Sequence, residues 1–274
     1  MTNPTDVDAA ARADTFRSLH VPGRPILLAN AWDAGSARLI ESCGAAAIAT
    51  TSAGLAWARG YPDGDALPAA VLAAAVAEIV RVVSLPVSVD AEGGYSDDPG
   101  TVGEVIRAII DAGGIGINIE DGSAAPDLLV AKIEAIRTVA GAAGVPLFIN
   151  ARTDVYLRGL VPAEAAVEES LARGARYAAA GADGLFVPGV NDPDAIRSIA
   201  AGSILPLNVL VVPGLPSVAE LAALGVARIS VGSGIAQTAA GITRRATIEF
   251  LETGRFETML ERDADYATLN ALFA

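Results

Sequence analysis

Cysteine and histidine are nearly missing from this chain: 274 residues hold one of each, Cys43 and His20. A single cysteine excludes a disulfide framework and a thiolate zinc site. Cys43 follows a helical pattern over residues 35–42 and is expected as a small buried hydrophobe rather than a nucleophile. His20 precedes the first strand pattern and is expected on the surface or at the floor of the fold, so imidazole is not available as a base at the opposite end. Aromatic residues make up only 5% against 52% hydrophobic, so the core must be aliphatic. No apolar run approaches the roughly 18 uninterrupted residues that span a bilayer. Met1 to Asp14 holds no basic region followed by an apolar stretch, and the expectation is a cytoplasmic protein without a secretory signal. Basic residues are few, 19 against 32 acidic, for a net charge of −13 without any Lys/Arg cluster. That balance excludes nucleic acid and anionic membrane as partners. A small anionic substrate stays allowed, because a metal ion or one arginine inverts the field locally.

What the chain does have is a regular alternation. Strand-like apolar runs at residues 26–31, 46–50, 87–90, 116–120, 147–150, 184–187, 207–212 and 228–231 are each followed by a segment of helical spacing. Segments 69–83, 101–112, 128–140, 163–180 and 235–253 carry apolar residues at three- and four-residue intervals. Gly-Ala pairs such as Gly44-Ala45 and Gly181-Ala182 read as helix ends leading into strands. Asp98 before Pro99 reads as an N-cap with proline at the first helical position. Eight such units predict an α/β fold, a (β/α)8 TIM barrel formed by a single domain over 1–274. The stretch 256–272, within a helical extension from about residue 254 to 274, exceeds what the barrel needs. It is expected to pack on a neighbouring subunit or under the barrel floor.

In a barrel of this kind the strand C-termini define the catalytic face. They offer Asn30, Trp32 and Asp33, then Thr51, Ser52 and Gly54, then Tyr61, Pro62 and Asp63 from a long loop. Asp90 and Glu92 follow, with Glu120 and Asp121, Asn150, Arg152 and Asp154, and finally Asn208. Carboxylates converging in one mouth repel one another unless some are protonated or a cation sits among them. All-oxygen donors favour a hard ion, Mg²⁺, with Mn²⁺ as its substitute. Arg152 offers a fork for a substrate carboxylate or phosphonate, or else closes an internal ion pair with Asp154 or Glu120. Gly232-Ser233-Gly234 stands where a barrel can cradle phosphate, although glycine there also serves a tight turn.

Five blocks, in order, resemble the isocitrate lyase and phosphoenolpyruvate mutase superfamily: Thr51-Ser52-Ala53-Gly54-Leu55, Gly60-Tyr61-Pro62-Asp63, Val89-Asp90-Ala91-Glu92-Gly93-Gly94-Tyr95, Gly116-Ile117-Asn118-Ile119-Glu120-Asp121 and Asn150-Ala151-Arg152-Thr153-Asp154. The resemblance implies a Mg²⁺-dependent barrel acting on α-oxo or α-hydroxy carboxylates and enolpyruvate compounds. It implies Asp90 as principal metal ligand, with Asp63, Glu92 and Glu120 holding the ion directly or through water. It further implies that Ser52, Gly54 and Leu55 bind the substrate carboxylate and that Arg152 grips the other end, while Trp32 and Asn208 complete the substrate-binding set. Relatives are commonly tetramers that exchange a C-terminal helix, so the expectation is a homo-oligomer, dimer or tetramer.

The chain departs from that pattern in three places. Gly122-Ser123-Ala124-Ala125-Pro126 replaces the lyases' Lys-Lys-Cys-Gly-His type loop, and also the mutases' longer gating loop with lysine and asparagine. Pro188 stands where a histidine is often found, and Glu92 where aspartate is usual. The remaining chemistry is carbon-carbon cleavage, by decarboxylation or a retro-aldol step, through a metal-stabilised enolate of a small 2-oxo or 2-hydroxy acid. Tyr61 or Ser52 would supply the proton, with Arg152 completing the expected catalytic set. The alternatives are a phosphonomutase or phosphonopyruvate hydrolase, a barrel that binds a carboxylate without turning it over, and an unrelated phosphate-binding barrel.

Overall fold

The structure is a computed structural model describing residues 4–262 and 264–274. Its strands are β1 (Ile26–Leu28), β2 (Asn30–Ala31), β3 (Ile48–Thr50), β4 (Val87–Asp90), β5 (Gly116–Glu120), β6 (Phe148–Arg152), β7 (Gly184–Phe186), β8 (Leu207–Leu210) and β9 (Arg228–Ser230). All pair in parallel, in the order β1-β9-β8-β7-β6-β5-β4-β3-β2. The first stave breaks at Ala29, so β1 pairs with β9 while β2 pairs with β3. One continuous segment thereby brings the two edges of the sheet together in a near-closed barrel. The expected eight staves are present, with the first counted twice because it changes partner midway.

The helices are α1 (Pro4–Ser18), α2 (Ala34–Ser42), α3 (Ser52–Trp57), α4 (Ala69–Val82), α5 (Pro99–Asp111), α6 (Pro126–Ala143), α7 (Val155–Arg158), α8 (Ala166–Ala180), α9 (Pro193–Gly202), α10 (Val218–Ala223), α11 (Gly234–Thr253), α12 (Glu257–Leu260) and α13 (Tyr266–Ala271). Outward residues of the central strands, Val87, Val89, Ile117 and Ile119, pack with Leu72, Ile79, Ile106, Ile133 and Ile136 of α4 to α6 in one aliphatic cluster. Helices outside and neighbouring staves inside bury both faces, so these strands need not alternate. Asp98 caps α5 as expected, its Oδ2 accepting from the Thr101 N–H at 2.8 Å with Pro99 in the first turn.

Inside, the barrel is polar. Asn150 Nδ2 donates to Asn118 Oδ1 at 2.9 Å and to Asn208 Oδ1 at 3.0 Å, and Arg228 Nη2 donates to Asn118 Oδ1 at 3.1 Å. Burial lowers the Arg228 guanidinium to about 9, with Asp90 pulling it back up. Helix α1 closes the floor: Phe16 meets Phe148 edge-on at 5.3 Å, and the His20 ring stacks on Phe148 at 4.1 Å. Of the two places expected for His20, the floor is where it lies. Burial, then the Arg228 charge, holds the imidazole down at about 3, so it is neutral while its Nδ1 bonds the Phe16 carbonyl at 2.8 Å. The sequence did carry a signal for α1: Ala9, Ala13, Phe16 and His20 recur on one helical face.

On the far side of the barrel one expectation is corrected and one pair of alternatives is narrowed. Cys43 is exposed rather than buried, because it lies past the end of α2 on the wall of an open apolar groove. The stretch 256–272 divides into the short helices α12 and α13 and does not reach the floor, which α1 occupies. The end of α13 is tied instead to α2, where Arg38 Nε donates to the Leu272 carbonyl at 2.7 Å.

Candidate active site

Asp90 sits at the end of β4, beside the start of α3. Its Oδ2 accepts from the Ser52 N–H at 3.2 Å, and its own N–H donates to Thr50 Oγ1 at 2.9 Å. Its Oδ1 makes no protein hydrogen bond among the described residues. Ser52 therefore lies against Asp90. Gly54 is a close-approach position: a Cβ there would lie 2.9 Å from Thr51 Cγ2, 3.0 Å from Trp32 Cβ and 3.1 Å from Ala236 Cβ. Trp32 is thus packed on α3 at the rim. The N–H groups of Gly54 and Leu55 are directed to Thr51, and the Leu55 side chain lies in the core.

The loop after β4 bends back through left-handed backbone. Glu92 (φ 49) and Tyr95 (φ 63) are non-glycine residues with positive φ, and so is Asp65 (φ 57) across from them. Left-handed backbone costs L-residues of this kind on the order of 1–3 kcal/mol each and persists where surrounding contacts impose it. Here the contacts are specific. Glu92 Oε2 accepts from the N–H groups of Gly64 and Asp65, and Glu92 Oε1 accepts from the Tyr95 hydroxyl at 2.9 Å. Tyr95 N–H donates to Asp65 Oδ1 at 3.2 Å, and Lys132 Nζ to the Gly93 carbonyl at 2.7 Å. Gly94 (φ +92) leaves no room for a side chain, since a Cβ would meet Val102 Cγ1 at 2.9 Å. Glu92 consequently straps the loop of residues 60–65 to the β4 loop. Asp63 and Tyr61 lie on the exposed part of that strapped loop.

Glu120 ends β5 and pairs with Arg152, Nη1 to Oε2 at 2.6 Å. Arg152 Nε also donates to Asp154 Oδ1 at 2.6 Å and Nη2 to Asp154 Oδ2 at 3.1 Å, so carboxylates engage the guanidinium on both sides. Of the two roles open to Arg152 on sequence grounds, the internal ion pair is the one formed. Asp121 faces the other way: Oδ1 accepts from Asp154 N–H at 2.9 Å, and Oδ2 from Arg173 Nη1 at 2.8 Å and from the Tyr177 hydroxyl at 2.6 Å. Asn208 and Asn150 belong to the buried interior network beneath the mouth. Asn30 accepts from the N–H groups of Val231 and Gly232, and Gly234 N–H bonds the Val231 carbonyl, so two amides of the glycine turn after β9 are already engaged. Asp33 is consumed as the N-cap of α2.

Crowding of like charge shows in the carboxyl groups. Burial pushes Glu120 up to about 8; the Arg152 charge opposes the rise and Asp90, Asp154 and Glu92 reinforce it. Glu92 and Asp65 are raised for the same first reason, against hydrogen bonds that lower them. Burial and then the Glu92 charge push the Tyr95 phenol up as well, so it stays protonated. The linkage has a definite sign. The folded Glu120 carboxyl keeps its proton to higher pH than the free group (4.5), so its contribution to stability is greatest in acid and falls as pH rises through about 8. Thermal melts of wild type and Glu120→Gln between pH 5 and 9 should therefore converge or cross, wild type losing stability relative to the variant as pH rises; parallel curves would rule this out.

Beside these acids lies a cavity of about 500 Å³, lined by Gly64, Asp65, Glu92, Tyr95, Glu120, Ser123, Lys132 and Arg158 among others. It takes in three of the expected acids, Glu92, Glu120 and Asp121, whereas Asp90, Ser52 and Arg152 are outside its lining. Four of its residues, Asp65, Tyr95, Lys132 and Arg158, were not selected from the sequence as site candidates. Lys132 had a signal, being the chain's only lysine. Tyr95 closes one of the five blocks, whereas Asp65 and Arg158 had no signal, because only the tertiary structure brings them to this cavity.

A parallel α/β barrel whose strand ends hold a carboxylate cluster, one closed arginine and a short β5–α6 connection defines a class of small-molecule enzymes more than any single activity. Comparison with known proteins narrows the class. The family model described as phosphoenolpyruvate phosphomutase matches residues 16–251, and the chain belongs to that family, within the isocitrate lyase/PEP mutase superfamily. It is 42% identical over 225 residues to an uncharacterized protein of Mycobacterium tuberculosis (strain ATCC 25618 / H37Rv), covering 80% of this chain and 82% of that one. It is 30% identical over 228 residues to oxaloacetate decarboxylase of Bradyrhizobium sp. (strain BTAi1 / ATCC BAA-1182), covering 81% and 77%. A solved structure from Burkholderia cenocepacia J2315, of a protein inferred to be a phosphonomutase, superposes with a TM-score of 0.83 at 46% identity, covering 87% of this chain and 99% of that one. Relatives of the chain include enzymes named for small carboxylic acids, oxaloacetate decarboxylase and 2,3-dimethylmalate lyase, and this likeness supports an enzymatic role.

Proposed function

We propose that this protein is a Mg²⁺-dependent carbon-carbon lyase, of decarboxylase or retro-aldol type, acting on a small 2-oxo or 2-hydroxy carboxylic acid. The observation that carries the reading is the carboxylate cluster around Asp90, in which Glu120, Glu92 and Asp65 are all raised, first by burial and then by neighbouring acids. Crowded oxygen donors of this kind are relieved by a hard cation. Among the described residues no three acids stand ready as a ligand group, and both Glu92 oxygens are engaged by protein donors. This suits Mg²⁺, which takes one or two carboxylates and keeps several waters. Asp90 would hold the ion through Oδ1, with Glu120, Glu92 and Asp63 acting through water. When bound, the ion supplies positive charge for the enolate oxygen left by cleavage.

The chain's own residues do the rest. Asp90 is kept in place by the Ser52 N–H, and the Glu92 strap holds the loop that carries Asp63 and Tyr61 against the mouth. In a decarboxylation the bond to the departing carboxylate breaks, CO₂ leaves and the electron pair forms the enolate. In a retro-aldol step the 2-hydroxyl would give its proton to a mouth carboxylate or water, C2 becoming a carbonyl as the C2–C3 bond breaks and its electron pair forms the enolate. In both, a proton from Ser52, Tyr61 or water completes the product. Calorimetry of oxalate, an enolate mimic, with and without Mg²⁺ tests the reading: metal-dependent binding is expected, and no binding under either condition would end it. A phosphonomutase reading is favoured by the Burkholderia relative, but the four residues Gly122 to Ala125 between Asp121 and α6 leave no lysine-bearing loop for it. Turnover of a phosphonopyruvate rather than of an oxaloacetate-type acid would decide for it.

The same proposal includes a homo-oligomer. Helix α11 follows the last strand, yet only Ala236 among its residues is buried, and Leu251 is 74% exposed. The barrel flank between α2 and α10 is meanwhile an apolar groove of about 980 Å³ lined by Leu27, Leu39, Ile40, Val218, Ile229 and Val231. Leu27 is 52% exposed on a strand whose counterparts in β4 and β5 are sealed by helices. A second copy's C-terminal helices would cover this groove in exchange. Light scattering should give a dimer or tetramer, and Leu27→Glu should shift it toward monomer; a wild-type monomer would remove this part of the proposal. Among the described residues no helix is long and apolar enough to cross a membrane.

A further inference from the structure

Arg228 opens β9 and turns its side chain into the barrel, between the floor and the mouth. Its Cζ lies 5.9 Å from the centre of the Phe16 ring of α1, and its Nη2 donates to Asn118 Oδ1 on β5 at 3.1 Å. Asn118 stands one layer below Glu120 on the same strand and pairs in register with Asp90 of β4. The guanidinium belongs to a residue only 1% exposed, and its Nε and Nη1 have no hydrogen-bond acceptor among the described residues. Arg152, Arg158 and Arg173 each contact a carboxylate, whereas Arg228 hydrogen-bonds only an amide oxygen. Burial lowers it, yet it stays charged at neutral pH, and Asp90 is the acid whose charge acts on it.

A charge that no contact neutralises, held in a medium of low dielectric, acts over several ångströms far more strongly than one at the surface. Within reach of Arg228 is the mouth end of β4 and β5, where Asp90 offers an oxygen without a protein donor. The bond to Asn118 is dispensable for the interior network, because Asn118 Oδ1 also accepts from Asn150 Nδ2 at 2.9 Å. A buried guanidinium without a carboxylate costs stability rather than adding it, so what Arg228 contributes is its charge. We propose that Arg228 is a positioning residue that sets the electrostatic potential of the Asp90 site from below: its charge loosens the hold of that site on a divalent cation and tightens its hold on an anionic ligand. This inference rests on the lyase reading of the site and adds to it a residue that touches neither ion nor substrate. The trade suits enolate chemistry, in which fixed positive charge is of most use where negative charge develops during cleavage.

The test is calorimetric titration of Mg²⁺, and then of oxalate at saturating Mg²⁺, into wild type, Arg228→Met and Arg228→Gln. Both variants remove the charge, and glutamine keeps an amide donor for Asn118. Each should bind Mg²⁺ roughly 10-fold more tightly and oxalate roughly 10-fold more weakly than wild type, the order expected of one unit charge several ångströms away at the effective dielectric of a protein interior. Opposite shifts for cation and anion are what a structural role does not produce, since a distorted site loses both together. Weakening of both ligands, no change in either, or a glutamine variant near wild type beside an altered methionine variant overturns the assignment. Thermal melting should show both variants folded, because apolar replacement of a buried charge is commonly neutral or stabilising. Failure of both to fold overturns the assignment too, since a residue that only sets a potential is not needed for folding. Wild type that binds Mg²⁺ but not oxalate ends the lyase reading and leaves the cation titrations to decide on Arg228; wild type that binds neither ends both.

Discussion

Replacing Asp90 by alanine is expected to lower kcat/KM by roughly 10³-fold or more, the loss that follows when a principal charge-stabilising group is removed from a reaction centre. The Mg²⁺ dependence of oxalate binding should vanish with it. The expectation comes from the position of the side chain. Asp90 is fixed from one side by the Ser52 N–H and has an oxygen without a protein donor, whereas Glu92 is engaged at both oxygens and Glu120 by Arg152. Neither Glu92 nor Glu120 is so placed. Asp90→Asn keeps an acceptor for Ser52 and separates the roles: it should melt near wild type but bind Mg²⁺ and oxalate as poorly as the alanine variant. If either variant retains metal-dependent oxalate binding within a few fold of wild type, the ion is held elsewhere and the proposed ligand set is wrong.

Asp121→Ala is expected to be the most destabilising single change at the mouth, costing about 3–5 kcal/mol. The carboxylate accepts three bonds, from the Asp154 N–H, Arg173 and the Tyr177 hydroxyl, all of which are buried. Alanine leaves a buried guanidinium, a buried phenol and a buried amide without their acceptor. At roughly 2–4 °C per kcal/mol for a chain of this size, the melting temperature should fall by about 10 °C. Urea unfolding of wild type, Asp121→Ala, Tyr177→Phe and the double variant measures how much of the loss runs through the phenol. A change below about 1 kcal/mol for Asp121→Ala would mean that water enters and replaces the carboxylate. Asp121 also sets the position of Asp154, and Asp154 holds Arg152 and Arg158, so the loss reaches both arginines.

The repeat of apolar strand and helix was legible in the chain, and so was Asp98-Pro99 as a helix start. Asp90 and Glu120 were legible as strand-end acids, and the five blocks by themselves pointed to the superfamily. Glu92 was legible as a mouth residue but its task was not. Nothing in the order of residues says that the backbone at Glu92 and Tyr95 turns left-handed, which is what swings the carboxylate onto the amides of Gly64 and Asp65. Arg152 was left between two roles for a similar reason: the choice depends on the register that sets Glu120 opposite Arg152 across β5 and β6. Cys43 was misread because a helical pattern does not reveal which flank lacks a covering neighbour.

By itself the sequence determined the barrel, the aliphatic character of its outer core, and the chemical type of its mouth, since these follow from periodicity and from the residues that end each strand. Tertiary structure alone decided which groups are free to act. Placing Asp65, Tyr95, Lys132 and Arg158 around one cavity required loops far apart in the chain to meet. Hydrogen bonds formed across that space then decided the division of labour, because a carboxylate or guanidinium already paired with the protein has little left to offer a ligand.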